Sequence, residues 1–385
     1  MIGFHLTEEQ EQMRQLARRF ATNEIRPVAA EYDQREETPW ELLQQAAQIG
    51  LLSYNYPEVY GGGGVDSVLT SCLVAEELSW GCLGVATAIL GCGLAAVPIL
   101  IAGTEAQKAR YLPWFCDDRQ VHAGAFALTE PDAGSDVAAL RTTAVRDGDC
   151  YVLNGQKRFI TLGGVAGLYA LFATVDPRLG HMGITAFIVE ADRPGVSAGR
   201  KELKMGMRAS HTGDVILENV RVPVENRLGE EGQGFFLAMK AFEHTRPVVA
   251  ACAVGLARAA YEYAGEYAAQ RVQFGKPILA KQAVRFLLAD MATEIEAARL
   301  LTWRAACLAD EGRPCNVPAS MAKRFAADMA MRVTTDAVQV LGGYGYMREY
   351  PVEKWMRDAK VLQIVEGTSQ IQRVVISQML AMGME

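Results

Sequence analysis

One carboxylate stands out by its surroundings. Glu366 follows the apolar residues Val361, Leu362, Ile364 and Val365 and precedes Gly367-Thr368-Ser369-Gln370, the start of a helix. Loss of water around such a side chain raises its pKa towards neutrality, as a general base requires. The position also suits a solvated acid at a helix start, which the macrodipole favours. Three further clusters have chemical potential. Leu128-Thr129-Glu130-Pro131-Asp132-Ala133-Gly134-Ser135-Asp136 gathers hydroxyls and turn-formers at a strand end, fit for the polar edge of a ligand or for an ordinary polar loop. Gly342-Gly343-Tyr344-Gly345 closes a helix, as a C-cap or as backbone laid close to a phosphate or adenine. No strand precedes it, so it is no dinucleotide fingerprint. Arg271 and Phe274 combine a guanidinium and an aromatic face three residues apart, suited to clamping a phosphate and stacking a ring, or to a surface helix end. The five histidines, at 5, 122, 181, 211 and 244, are dispersed with no nucleophile elbow nearby, so no Ser-His-Asp arrangement can be built.

The elements that would position these residues fall into three stretches. Thr7-Glu8-Glu9-Gln10 is a capping box, and helical periodicity follows, recurring over Trp40–Leu51 and Ser67–Leu78. The run from Gly81 to Thr104 carries no charge and is long enough for a bilayer, but its six glycine and proline interruptions and acidic flanks (Glu76, Glu77, Glu105) fit two short buried helices. Gly61-Gly62-Gly63-Gly64 lacks a following Lys-Ser/Thr and reads as a mobile connector, not a phosphate loop. After Gln120 the texture becomes strand-like. Cys150–Thr161 predicts a hairpin turning at Asn154-Gly155, with further strands over Leu168–Val175, Ile184–Glu190 and Asp214–Val222. Helices return from Gly232: an alanine-rich one from about Arg246 to Arg271, then Lys281–Asp310, Ser320–Leu341 and Ser369–Ala381. The expectation is an α+β fold with an N-terminal α domain (1–120), a β-barrel-like or sandwich domain (121–228) and a C-terminal four-helix bundle (229–385). No internal repeat is visible.

Composition narrows the function. A chain of 385 residues with net charge −7 presents no basic face for a nucleic acid backbone. The eight cysteines include no C-x-x-C pair, which points to buried free thiols, no metal site and a reducing, cytoplasmic-type compartment. Met1–Gln15 is acidic and lacks a basic segment followed by an apolar one, so no signal peptide is expected.

In this order, the clusters and the α–β–α organisation resemble the acyl-CoA dehydrogenase family over nearly the whole chain. The resemblance rests on Thr129-Glu130-Pro131, Ala133-Gly134-Ser135-Asp136, Asp336, Gly342-Gly343, Gly345, Arg357-Asp358-Ala359-Lys360, Glu366-Gly367-Thr368 and Ile371-Gln372, and looks most like short- and medium-chain members. It implies an FAD-dependent α,β-dehydrogenation of an acyl-CoA thioester to the trans-2-enoyl-CoA, in fatty or branched acyl metabolism, with electrons passed to electron-transfer flavoprotein. Glu366 matches the α-proton base. In some relatives the base stands instead just before the arginine of the earlier helix, where this chain has Thr245. The resemblance places Leu128, Thr129, Gly134, Ser135, Phe159, Ile160 and Thr161 on the flavin within one subunit; many relatives carry Trp at the Phe159 position. It places Arg271, Phe274, Gln282, Gln339, Gly342 and Gly343 on the FAD of a neighbouring subunit, and Thr368 and Gln370 at the pyrophosphate and adenine end. Ser135, Phe242, Glu243, Arg246 and Gly367 match positions near the thioester or the pantetheine arm. A shared cofactor implies a homotetramer built as a dimer of dimers.

By the same resemblance, the thioester carbonyl is held by the Glu366 backbone N–H and a ribityl hydroxyl while the β-hydride leaves for flavin N5. Small residues at Gly93, Ala95, Ala96 and Val365 are expected to leave depth for a bulky acyl group. Two other readings remain: an enoyl-CoA reductase of the same family, and a non-catalytic flavoprotein that binds nucleic acid or a protein partner. The second predicts a basic C-terminal extension or a lost base, whereas the chain ends soon after its final helix and Glu366 is present.

Overall fold

The Thr7 capping box forms: the Thr7 hydroxyl accepts from the Gln10 N–H while the Gln10 side chain accepts from the Thr7 N–H, opening α1 (Glu8–Phe20). The computed structural model describes residues 5–383, so the first four residues of the Met1–Gln15 segment lie outside it. Helices α2 (Ala29–Arg35), α3 (Trp40–Gln48) and α4 (Val68–Gly81) follow. The uncharged run divides into α5 (Leu83–Gly91) and α6 (Ala96–Ala102), and α7 (Glu105–Phe115) opens on a second capping box at Thr104 that sequence reading missed. Among the described residues no helix is long and apolar enough to cross a membrane. The four-glycine stretch is not a loose connector. All four N–H groups donate to backbone carbonyls of Ser53, Tyr56, Pro57 or Glu58, and a Cβ at Gly62 would lie 2.2 Å from the Tyr56 carbonyl oxygen. Glycine is there for close approach.

Strands β1 (Gly124–Ala127), β2 (Thr143–Asp147), β3 (Cys150–Thr161), β4 (Leu168–Thr174), β5 (Ile184–Glu190), β6 (Val196–Lys201), β7 (Thr212–Pro223) and β8 (Arg227–Leu228) form one sheet. Its order is β6-β7-β3-β2-β4-β5-β8, with β1 added parallel to β4. The expected hairpin at Asn154-Gly155 does not exist. β3 runs straight through that pair, with a register shift against β7 there, because Gly155 (φ 152°) lies against Thr142, whose Oγ1 would be 2.5 Å from a Cβ. The turn falls instead at Gly148-Asp149, where Gly148 (φ 63°) lets β2 reverse into β3. Every residue of β4 is buried, so both faces of the sheet are covered there, and its apolar composition follows from that.

Helix α8 (Gly234–Gln270) is 37 residues long and starts well before Arg246. The short strands β9 (Val272–Gln273) and β10 (Lys276–Pro277) pair as a hairpin with Phe274 at its tip. Then come α9 (Gln282–Asp310), α10 (Asn316–Leu341), α11 (Val352–Leu362) and α12 (Ser369–Ala381), with α11 absent from the expected set. Pro247 lies inside α8; lacking an N–H, it leaves the Glu243 carbonyl free, and the Cys315 thiol approaches that oxygen at 4.0 Å. The alanines of α8 permit close packing against α4: a Cβ at Gly255 would stand 2.0 Å from the Glu76 carbonyl oxygen. Gly255→Ala is therefore expected to destabilise the fold by about 1–3 kcal/mol, the range for overpacking a tight core. A lowered urea midpoint by circular dichroism checks this, and an unchanged midpoint contradicts it.

The acids flanking the apolar run are buried. Glu76 pairs with Arg258 (2.8 Å) and Arg299 (3.0 Å), and Glu77 with Arg18 (3.1 Å) and Arg258. The Trp80 indole donates to Glu262 at 2.7 Å and lies under the guanidinium of Arg18. These contacts tie the N-terminal helices to α8 and α9.

Candidate active site around Glu366

Glu366 sits in a turn fixed at both ends. After α11 the chain reverses, with the Ile364 N–H donating to Val361 O (2.8 Å) and the Ser369 N–H to Gln363 O (2.9 Å). Asp328 of α10 accepts from the Gln363 amide, the Ser369 hydroxyl and Arg373, all at 2.9 Å, and Thr368 caps α12 by accepting the Ile371 N–H. Between these anchors Glu366 has φ 56° and Gly367 φ 86°. The first is a left-handed conformation that costs a non-glycine residue about 1–3 kcal/mol and persists where surrounding contacts enforce it.

The apolar approach inferred from sequence is not what dries the carboxyl. Ile364 and Val365 are 54% and 38% exposed and point outward. The groups around the Glu366 carboxyl come from α8 and α10. The Thr245 hydroxyl donates to Glu366 Oε2 at 2.7 Å, so the alternative base position of the earlier helix lies beside Glu366. Burial raises the Glu366 pKa above the ordinary carboxylate value, although the Thr245 hydrogen bond and the charges of Arg246 and Lys323 pull the other way. Arg246 is only 3% exposed and donates to Glu366 O (3.4 Å), Asn316 Oδ1 (3.2 Å) and Ser320 Oγ (3.5 Å). Its guanidinium stands 5.4 Å from the centre of the Phe242 ring, which packs in turn on Phe126 of β1 at 5.6 Å. Glu243 lies close enough to Arg246 to favour its charge. Lys323 donates to Gly367 O at 2.7 Å, and Gln372 to both Glu366 O (3.0 Å) and Gly367 O (3.1 Å). Sequence reading missed both roles. A lysine among the alanines of α10 was the available signal. Among the described residues the Glu366 N–H has no protein acceptor.

β1 leads from Phe126 into the hydroxyl-rich loop. The Arg158 N–H donates to Thr129 O at 2.8 Å, and Lys157, fully buried, donates to Leu128 O (3.1 Å) and Glu130 Oε1 (2.6 Å). Glu130 also accepts the N–H groups of Arg141 (2.6 Å) and Thr142 (2.9 Å). This buried pair lays Leu128-Thr129 along Phe159-Ile160-Thr161. Leu128 and Ile160 are 5% and 2% exposed and belong to the core, while Thr129 and Thr161 beside them are partly exposed. Phe159, at φ 58°, is turned out at a bulge of β3. Gly134 and Ser135 are exposed at the loop tip.

The remaining candidates lie elsewhere. Arg271, Gly342, Gly343 and Tyr344 line a cleft of about 510 Å³, in which nothing stands within 4 Å of a Cβ placed at either glycine. Phe274 is 93% exposed at φ 51°, and Gln282 and Gln339 are exposed at the start of α9 and the end of α10. Thr368 and Gln370 line a separate cleft of about 410 Å³ with Arg332, Lys360 and Arg373. Neither cleft includes a residue that touches the Glu366 carboxyl, although the second borders its turn through Gln363, Ile364 and Thr368.

Beside Gly93, Ala95 and Ala96 the chain's own rings take up space, whereas Val365 is 38% exposed. A Cβ at Gly93 would lie 2.6 Å from Tyr56 Oη, Ala95 and Ala96 are fully buried, and the Tyr56 and Phe115 rings stack at 5.9 Å beside them. Small residues there accommodate two rings of the chain itself. Among the described residues no group of His, Cys, Asp or Glu is placed to hold a metal ion.

Residues 7–119, 125–220 and 232–381 match the families described as the N-terminal, middle and C-terminal domains of acyl-CoA dehydrogenase. An acyl-CoA dehydrogenase of Bacillus subtilis (strain 168) is 48% identical, over 98% of this chain and 100% of its own. The structure of butyryl-CoA dehydrogenase from Megasphaera elsdenii superposes with a TM-score of 0.95 at 45% identity, covering 99% of this chain and 100% of that one. A chain solved under the heading "Electron transferring flavoprotein of Acidaminococcus fermentans: Towards a mechanism of flavin-based electron bifurcation" also superposes with a TM-score of 0.95, at 46% identity over 98% and 99% of the two chains. With all three regions matched and nearly half its residues shared over the full length of a named relative, this protein belongs to the acyl-CoA dehydrogenase family.

Proposed function

We propose that the chain oxidises a short acyl-CoA thioester between its α and β carbons, with Glu366 as the base. One observation carries the assignment: a carboxyl of raised pKa, held in a left-handed turn by a hydroxyl and a buried guanidinium, beside a backbone N–H that the protein leaves free. A thioester carbonyl accepting that N–H has its α-proton acidified, because enolate-like charge is stabilised as it develops. Glu366, whose carboxyl accepts from the Thr245 hydroxyl, then removes the proton.

FAD, the cofactor of this family, accepts the β-hydride when bound. The residues fit such a group: the partly exposed hydroxyls of Thr129 and Thr161, with Leu128 and Ile160 packed behind them, offer a polar edge, and Phe159 an aromatic face. Arg271, Phe274, Gln282, Gln339, Gly342 and Gly343 are placed to hold the cofactor of a second subunit, and Thr368 and Gln370 to hold its dinucleotide end. The exposed Phe274 and the open glycines support that division, and with it a homo-oligomer, a tetramer as two dimers. The likeness to a chain solved under a heading that names electron transferring flavoprotein supports a protein of that kind as the electron acceptor.

The short-chain assignment is supported by the likeness to butyryl-CoA dehydrogenase and by the rings of Tyr56 and Phe115, which occupy the space beside Gly93, Ala95 and Ala96. Anaerobic mixing of the FAD-loaded protein with acyl-CoAs of increasing length tests it. Four-carbon substrates are expected to bleach the flavin fastest. Faster bleaching by long, branched or cyclic acyl-CoAs contradicts the length assignment, and no bleaching by any of them contradicts the activity.

A further inference from the structure

The turn that carries Glu366 is held by its carbonyl oxygens, and the holders come from three different helices. Arg246 of α8 reaches Glu366 O, Lys323 of α10 reaches Gly367 O, and Gln372 of α12 reaches both. The side chains of Lys323 and Gln372 are 0% exposed. A buried ammonium is costly unless it is paired and hydrogen-bonded. Lys323 has a single hydrogen-bond acceptor among the described residues, Gly367 O, and no carboxylate in salt-bridge contact. The Gln372 amide uses its N–H groups on the turn while its own oxygen finds no partner. Two polar side chains are thus buried with incomplete partners, and both spend their donors on the residue pair with positive φ. An arrangement serving stability alone would place apolar side chains there. A left-handed glutamate, by contrast, stays in that conformation only while its neighbours enforce it.

We propose that Lys323, together with Gln372, is a positioning residue for the base: it clamps the Glu366–Gly367 peptide so that the carboxyl points at the α-proton while the Glu366 N–H stays free, and its charge helps keep the carboxyl ionised. This rests on the reading of Glu366 as the base. The charged groups facing the pair are Arg246 and Glu243 on α8 and Asp328 on α10, while α12 contributes the neutral Gln372. Burial brings the Lys323 pKa down to about 8, against the pull of Glu366, so the ammonium is charged through the neutral range.

The test uses the FAD-loaded enzyme and three variants. Lys323→Met removes bond and charge, Lys323→Gln keeps a donor without charge, and Gln372→Met removes two bonds without changing charge. For Lys323→Met the anaerobic rate of flavin bleaching is expected to fall about 10- to 100-fold, as for a misaimed catalytic group. Acyl-CoA affinity should change far less than the rate, since the carbonyl's bond to the Glu366 N–H gains most of its strength as enolate-like charge develops. The acid limb of the rate should move to higher pH, because loss of a nearby positive charge favours the protonated carboxyl. Lys323→Gln should keep more of the rate above that limb yet show the same upward movement. Gln372→Met should slow bleaching with the limb unmoved. It also decides the clamp if Lys323→Met fails to fold.

Wild-type rate and acid limb in both lysine variants overturn the proposal. So does a rate that falls only in proportion to lost FAD. Failure of the underlying reading looks different: Glu366→Gln would then still bleach. With Glu366→Gln inactive and the lysine variants unaffected, only the clamp is lost.

Discussion

Glu366→Gln is expected to bind FAD and acyl-CoA as wild type does while reducing its flavin about 10²–10⁴-fold more slowly, the usual contribution of a positioned base. Glutamine keeps the size of the side chain and still accepts from the Thr245 hydroxyl that now donates at 2.7 Å. The loss therefore falls on the chemical step, and substrate affinity is spared. Anaerobic stopped-flow with a substrate that bleaches wild type decides the matter; reduction within about tenfold of wild type removes Glu366 as the base. The wild-type pH profile carries the same signature. The base works deprotonated, and its pKa is raised, so activity should fall with decreasing pH at a value above the ordinary glutamate pKa of about 4.3. Thr245→Glu in the Glu366→Gln background places a carboxylate on the neighbouring turn of α8 and is expected to restore part of the rate. Added to wild type it should slow the enzyme, because two adjacent carboxyls raise each other's pKa.

Arg271→Ala is expected to weaken FAD binding and oligomer assembly together. The guanidinium stands 5.2 Å from the centre of the Tyr344 ring in the cleft where both Gly342 and Gly343 are bare. A dinucleotide phosphate there gains a charge-assisted hydrogen bond of about 1.5–3 kcal/mol, so its loss weakens retention by about 10- to 100-fold. If the cofactor spans two subunits, what is lost in binding is lost in assembly by linkage. A dilution series followed by flavin absorbance and light scattering reads both. A variant that keeps its FAD and its size on dilution contradicts the cross-subunit assignment.

The sequence showed these residues more clearly than it showed what holds them. Glu366 was readable because an acid stands there between an apolar stretch and a Gly-Thr-Ser helix start, and burial does raise its pKa; but Ile364 and Val365 face out, and the side chains that meet it come from α8 and α10, some 120 and 40 residues earlier. Such contacts leave no periodic trace. Lys323 looked like one of many helix cations, and its burial follows from packing between α8, α10 and the turn. The hairpin misassignment has the same origin. Asn154-Gly155 and Gly148-Asp149 both carry turn chemistry, and close approach of Thr142 to Gly155 makes the first pair a bulge. Signals confined to three or four residues survived best, as at Thr7, where cap and partner are neighbours in the chain.

The buried Glu76 and Glu77 have a consequence for how this protein can be taken apart. Three regions match three separate family descriptions, which suggests parts that can be exchanged. Yet the acids are supplied by the first region, and Arg258 and Arg299, two of their three counter-charges, by the third. Splitting a buried pair costs about 3–5 kcal/mol for each charge left alone, a large share of the stability of any domain. The first hundred or so residues produced alone would carry two acids with no arginine from α8 or α9 to meet them. A hybrid that borrows α4 from a relative keeps its footing only if positions 258 and 299 travel with it.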